Sequence, residues 1–229
     1  MSAAPFLLAA ALWAAPESTA PVRTVFLMHG ILNARVSMKR IERALERRGF
    51  EVVNLGYPSR SKTIEEHARW LDERVRQRGR GELYFVGHSL GSIILRCYLD
   101  RFRPPSARRF VMISPPNHGS GLADKVAEAG VYKLIYGDKA GRQLRASATD
   151  FWRTLPAPPI EFGIITGGRG DGRGFSALVP GDDDGTVSVE EARLEGAADF
   201  AVLPYQHTTI LLRKAAIERT VRFLETGRF

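Results

Sequence analysis

Between Arg23 and Leu224 the chain alternates short apolar runs with longer stretches whose apolar positions recur every three or four residues. The short runs read as buried strands and the longer ones as amphipathic helices, so their alternation predicts βα units over a parallel sheet. Six strands are predicted, at residues 24–28 (TVFLM), 51–55, 83–86, 109–113, 160–166 and 200–203. Helices are predicted at 34–48, ended by Gly49, and at 63–78, where Thr63 stands as N-cap with Glu66 at the capping-box position. A third helix, 89–102, is mostly apolar and therefore buried, and 210–224 is the closing helix. The segment 120–159 must connect the fourth and fifth strands and has room for two short helices at most. It carries Leu122 and Val126, then Val131, Leu134 and Ile135, at helical spacing. Either these residues pack on the sheet or they form a small flap. Right-handed crossovers place helices on both faces of such a sheet and a ligand crevice at the carboxyl ends of its strands.

The residues just after each strand therefore carry the candidate chemistry. After the third strand comes Gly87-His88-Ser89-Leu90-Gly91, a G-x-S-x-G pentapeptide between a β-run and a helix. There the glycines permit a sharp turn that projects a serine hydroxyl, and the helix N-terminus faces developing negative charge. After the first strand comes His29-Gly30-Ile31. Attack on a carbonyl creates an oxyanion that needs two N–H donors, and the backbone of Ile31 and Leu90 is placed to supply them.

A serine hydroxyl needs a base. Of five histidines, His67 falls in a helix, His88 in the turn, and His29 and His118 in early loops. His207 follows the last strand, in the chain order nucleophile, acid, histidine; its other reading is a cap for the helix beginning near Thr208. The acid belongs in Gly181-Asp182-Asp183-Asp184-Gly185. Asp184 is the expected residue, with Asp182 and Asp183 as alternatives. The D-x-D-x-D-G spacing of a calcium loop is absent, so neither metal nor cofactor is expected.

These segments resemble the lipase and esterase branch of the α/β-hydrolase family. His29-Gly30-Ile31 resembles its oxyanion segment, GHSLG its nucleophile elbow, and DGTV and Gln206-His207-Thr208 its acid and histidine segments. Pro115-Pro116-Asn117-His118-Gly119-Ser120 resembles the P-N-x-G-S segment of bacterial lipase-like members, read as structural support. The two leading antiparallel strands of larger relatives have no counterpart before Arg23. The resemblance thus implies a minimal α/β-hydrolase fold of about six mainly parallel strands, with little or no lid. It implies cleavage of small-molecule or lipid carboxylic esters through an acyl-serine. A thioesterase, amidase or lipid deacylase with the same triad is the alternative, and a non-catalytic binding protein a third reading.

Composition adds three constraints. With 229 residues, 44% hydrophobic and 25% charged, the chain is ordinary for one globular domain, at 23–229, and its single cysteine, Cys97, excludes an internal disulfide. The net charge of +8 is largely arginine on the outward faces of predicted helices. Without interleaved aromatics these read as solvated faces rather than a nucleic-acid surface, with peripheral contact to an anionic membrane as the alternative. Residues 6–15 (FLLAAALWAA) are too short to span a bilayer of about 30 Å. They have the length of a signal-peptide core, with Ser18-Thr19-Ala20 as a cleavage site, although no Lys or Arg precedes them. Export to the periplasm or medium is expected over a cytoplasmic location, an uncleaved anchor or packed N-terminal segment being the other reading of 1–22.

Overall fold

The structure, a computed structural model, describes residues 21–128 and 136–229. The apolar run at 6–15 and the predicted helical positions Val131, Leu134 and Ile135 lie outside them. The strands are β1 (Arg23–Met28), β2 (Glu51–Leu55), β3 (Glu82–His88), β4 (Ala107–Ile113), β5 (Glu161–Gly167) and β6 (Asp199–Leu203). They form one sheet in the order β2-β1-β3-β4-β5-β6, with every neighbouring pair parallel. Each strand lies within a residue or two of its predicted position.

The helices are α1 (Lys39–Glu46), α2 (Ile64–Arg78), α3 (Leu90–Phe102), α4 (Gly121–Glu128), α5 (Ala140–Gln143), α6 (Thr149–Thr154), α7 (Val189–Ala192) and α8 (Lys214–Thr226). Side chains alternate across the pleat, so each strand feeds two cores. Phe26, Phe85, Phe110 and Met112 pack against α2 and α3. Val25, Val86, Val111 and Ile113 pack against α1 and α8 on the other face. α3 is buried from Leu90 to Leu99 because it lies between the sheet and α2. On the opposite face Phe223 of α8 fits over Gly163, where an added Cβ would come within 2.5 Å of the ring.

Thr63 caps α2 as expected: its hydroxyl accepts from the Glu66 N–H, and the Glu66 carboxylate accepts from the Thr63 N–H. Three expectations are corrected. The helix predicted at 34–48 opens as a 3-10 turn, Arg35–Met38, before α1 begins. The closing helix is broken by Arg213, which is extended (φ −89°, ψ 128°) between a 3-10 turn, Thr209–Leu212, and α8. That turn buries Ile210 and Leu211, and the break re-aims the chain along the sheet. Among its described residues the 120–159 segment holds three helical pieces rather than two. α5 and α6 are too short to leave a period in sequence, and tertiary bonds such as Trp152 Nε1–H to the Arg145 carbonyl fix them. Among the described residues no helix is long and apolar enough to cross a membrane.

Candidate active site

Ser89 stands between β3 and α3 at φ 52°, ψ −122°, a region that non-glycine residues avoid and that costs of order 1–3 kcal/mol to hold. The surroundings enforce it. The Ser89 N–H donates to the Ile113 carbonyl of β4, and the Ser89 carbonyl accepts from the Ser92 N–H. Both glycines of the pentapeptide are sterically required. A Cβ on Gly87 would lie 2.5 Å from the Ser92 backbone, and one on Gly91 would lie 2.3 Å from the Met28 carbonyl. The turn therefore lifts Ser89 off the sheet edge and presses the start of α3 against the end of β1.

The two residues expected to supply oxyanion donors, Ile31 and Leu90, flank this turn. Gly30 packs directly on the turn, its missing Cβ leaving room for the His88 ring and the Ser89 Cβ, which would otherwise stand 2.9 and 3.1 Å away. Ile31 follows it and lines the same cavity as Ser89. Leu90 opens α3, so its N–H has no partner within the helix. A backbone bond from Asn33 N–H to the Gly30 carbonyl, and one from Leu32 N–H to the Ser59 hydroxyl, fix the loop that carries Ile31. His29 plays a structural part. Its Nδ1–H donates to the Gly30 carbonyl at 2.8 Å, and its own carbonyl accepts from the Tyr57 hydroxyl at 2.6 Å.

His207 and Asp184 are hydrogen-bonded, His207 Nδ1 to Asp184 Oδ2 at 2.7 Å, and the His207 N–H donates to the Asp184 carbonyl. Asp184 is 1% exposed, and its other oxygen accepts from the N–H groups of Thr186 and Val187. Burial works to raise its pKa, but the neighbouring His207 charge and these bonds outweigh burial and hold the carboxyl below its ordinary value. Asp183 is also buried, but faces away into its own loop, where it accepts from Ser176 and Gly185 N–H groups. Asp182 accepts from Arg169 and Gly170 N–H groups. The structure thus brings Asp184, and neither neighbour, to His207. Among the described residues no group of three His, Cys, Asp or Glu is gathered as a metal site requires.

Sequence reasoning missed His88 as a participant. Its Nε2–H donates to the His207 carbonyl at 2.9 Å, with the two rings 4.8 Å apart, so it clamps the main chain that carries the imidazole. Complete burial, reinforced by the His207 charge, pushes the His88 pKa down to about 3, which keeps it neutral beside His207. No pattern in the sequence announces a contact across 119 residues. His67 packs its ring against Tyr57, and His118 is exposed.

Ser89 and His207 open on one cavity of about 240 Å³. Leu122 and Val126 of α4, with Leu144 and Val187, give it apolar walls. Of the positions read either as packing on the sheet or as a small flap, Leu122 and Val126 border the cavity. α4 is tied to the acid loop by Glu191. One carboxylate oxygen accepts from Gly121 N–H at the start of α4, and the other from Ser188 N–H at the start of α7. Arg96 of α3, 3% exposed, ties that helix to the segments after β4 and before β5, donating to the carbonyls of Asn117, Leu155 and Pro156. Burial, only partly opposed by the Asp100 charge, lowers its pKa to about 10, still far above neutrality. The P-N-x-G-S segment is therefore structural, as expected: Asn117 also donates to the Ala192 carbonyl.

The sequence profile of the alpha/beta hydrolase fold matches residues 23–152, more than half of the chain, and the chain belongs to that family. The matched residues include Ser89 and end before Asp184 and His207. No curated protein sequence matches the chain. Among solved structures it resembles the lipase BlEst2 of Bacillus licheniformis in mature form, at 19% identity and TM-score 0.67 over 94% of this chain and 95% of that one. The phospholipase PlaB from Legionella pneumophila gives 19% identity and TM-score 0.68 over 91% of this chain and 60% of that one. A metagenomic carboxyl esterase, MGS0156, gives 17% identity and TM-score 0.67 over 84% and 66%. At these identities the likeness is one of fold.

Proposed function

We propose that the chain hydrolyses carboxylic esters through an acyl-serine on Ser89, with His207 as base and Asp184 as the acid that orients it. The observation that carries this reading is the 2.7 Å His207–Asp184 bond beside a cavity that Ser89 and His207 both line. Asp184 holds the proton on Nδ1, leaving Nε2 to take the Ser89 proton as the hydroxyl attacks the ester carbonyl. Charge then develops on the carbonyl oxygen, where the N–H groups of Ile31 and Leu90 and the first turn of α3 oppose it. Collapse expels the alcohol, protonated by His207, and water repeats the sequence to release the acid. The chain supplies nucleophile, base and donors itself, so the reading calls for no metal or cofactor.

The apolar walls suit an acyl chain. A cavity of about 240 Å³ lies below the roughly 300–1,000 Å³ of drug-sized sites, which favours short or medium chains. The fold likeness to a lipase and a carboxyl esterase is consistent with this substrate class. Turnover of p-nitrophenyl esters of graded acyl length, beside thioester and amide analogues, tests it. Ester cleavage should dominate and peak at short or medium chains, and Ser89→Ala should lose about 10³-fold or more with its melting curve unchanged. Preferential thioester or amide cleavage would replace the substrate assignment, and near-normal turnover by Ser89→Ala would end the mechanism.

A further inference from the structure

α1 and α8 lie side by side on one face of the sheet, and a groove of about 890 Å³ runs between them. Its walls are joined by two arginines. Arg40 donates to the Leu212 carbonyl near the upper end, and Arg48 forms a double hydrogen bond with Glu225 near the lower end. Between them Arg43, Arg47 and Arg222 stand exposed, over a floor of Ala44, Ile217 and Val221. The lining contains no aromatic side chain on which a base would stack.

Both ends of this basic strip are apolar. At the upper end Leu212, which lines the groove just before α8, is 45% exposed. At the lower end the chain enters β1, where Arg23 donates to the Arg48 carbonyl and Val22 is 43% exposed. Six cationic side chains line this surface against the two carboxylates of Glu218 and Glu225, and with apolar side chains at its ends it matches a layer of anionic headgroups with hydrocarbon beneath it.

We infer that the α1/α8 face docks on an anionic phospholipid bilayer. Arginines within reach of an anionic leaflet each strengthen partitioning about fivefold, and the exposed Leu212 and Val22 side chains at the ends of the strip add apolar contact. Docking does not depend on the chemistry assigned to Ser89, so it can be measured with catalysis removed, and either claim can fail alone.

The test is sedimentation of the full chain carrying Ser89→Ala with vesicles of phosphatidylcholine, alone or mixed with phosphatidylglycerol. Binding to the mixed vesicles should be the stronger and should weaken as salt is raised. In that background the triple change Arg43→Glu, Arg47→Glu and Arg222→Glu should weaken binding to mixed vesicles by about 10²-fold. The matched change Arg69→Glu, Arg76→Glu and Arg78→Glu places the same charge on α2, across the sheet, and should leave most binding intact. With Ser89 restored, the groove variant should turn over a dissolved ester as the parent does, which checks that it folds. Equal binding to both vesicle types, equal loss in the two triple variants, or binding to duplex DNA in place of vesicles would overturn the inference.

Discussion

Asp182, Asp183 and Asp184 are adjacent in sequence and face three different surroundings, so the same substitution at each should have three outcomes. In Asp184→Asn the side-chain amide would donate toward His207 Nδ1, which selects the wrong tautomer. Turnover should fall by about 10⁴-fold while stability changes little, because the carbonyl oxygen can still accept from Thr186 and Val187. In Asp183→Asn the amide oxygen can still accept from Gly185, but the buried NH2 then faces the Ser176 N–H in place of an acceptor. This variant should lose about 1–3 kcal/mol of stability, and lose activity only as the loop shifts. Asp182→Asn, on the partly exposed side, should be the mildest. Melting curves measured beside kcat/KM separate the three, and a turnover defect in Asp183→Asn without a stability defect would contradict the assignment.

At the scale of elements, Glu191 is the link between the cavity wall and the acid loop, since its carboxylate caps α4 and α7 together. Glu191→Ala removes both caps and should cost about 1–2 kcal/mol. KM for the longer esters should rise more than kcat falls, because Leu122 and Val126 ride on α4. Unchanged melting and unchanged KM would contradict this. Elements long enough to show a period were legible in the sequence, as were the segments after β1, β3 and β6 that carry Ile31, Ser89 and His207. α7 carries a sequence signal too, because Ser188-Val189-Glu190-Glu191 is a capping box. α5, α6 and the break at Arg213 were not legible, being set by contacts from distant parts of the chain. The choice among three aspartates was open for a related reason: the register of an irregular loop is decided by which backbone N–H groups surround each carboxylate.

For the whole molecule, buried neutral histidines make stability depend on pH. Burial lowers His88 to about 3 and His67 to about 4, against an ordinary value of 6.5. Between these limits the unfolded chain takes up protons that the native chain refuses. The stabilisation is therefore complete above about pH 6.5 and is lost as pH falls toward about 4 and then 3. Asp184, lowered from 3.8, favours the native state above its unfolded value and adds to the loss only at the acid end. The melting temperature should decline steadily from pH 7 to pH 4, and His67→Phe should flatten the decline; a level profile in the parent would contradict it. The central claim is that one serine of the folded chain is activated, and a reactive phosphonate ester tests it most directly. Intact mass should show one adduct per chain, peptide mapping should place it on Ser89, and His207→Ala should slow its formation by orders of magnitude. An adduct on another residue, or a folded chain left unlabelled, would contradict the account.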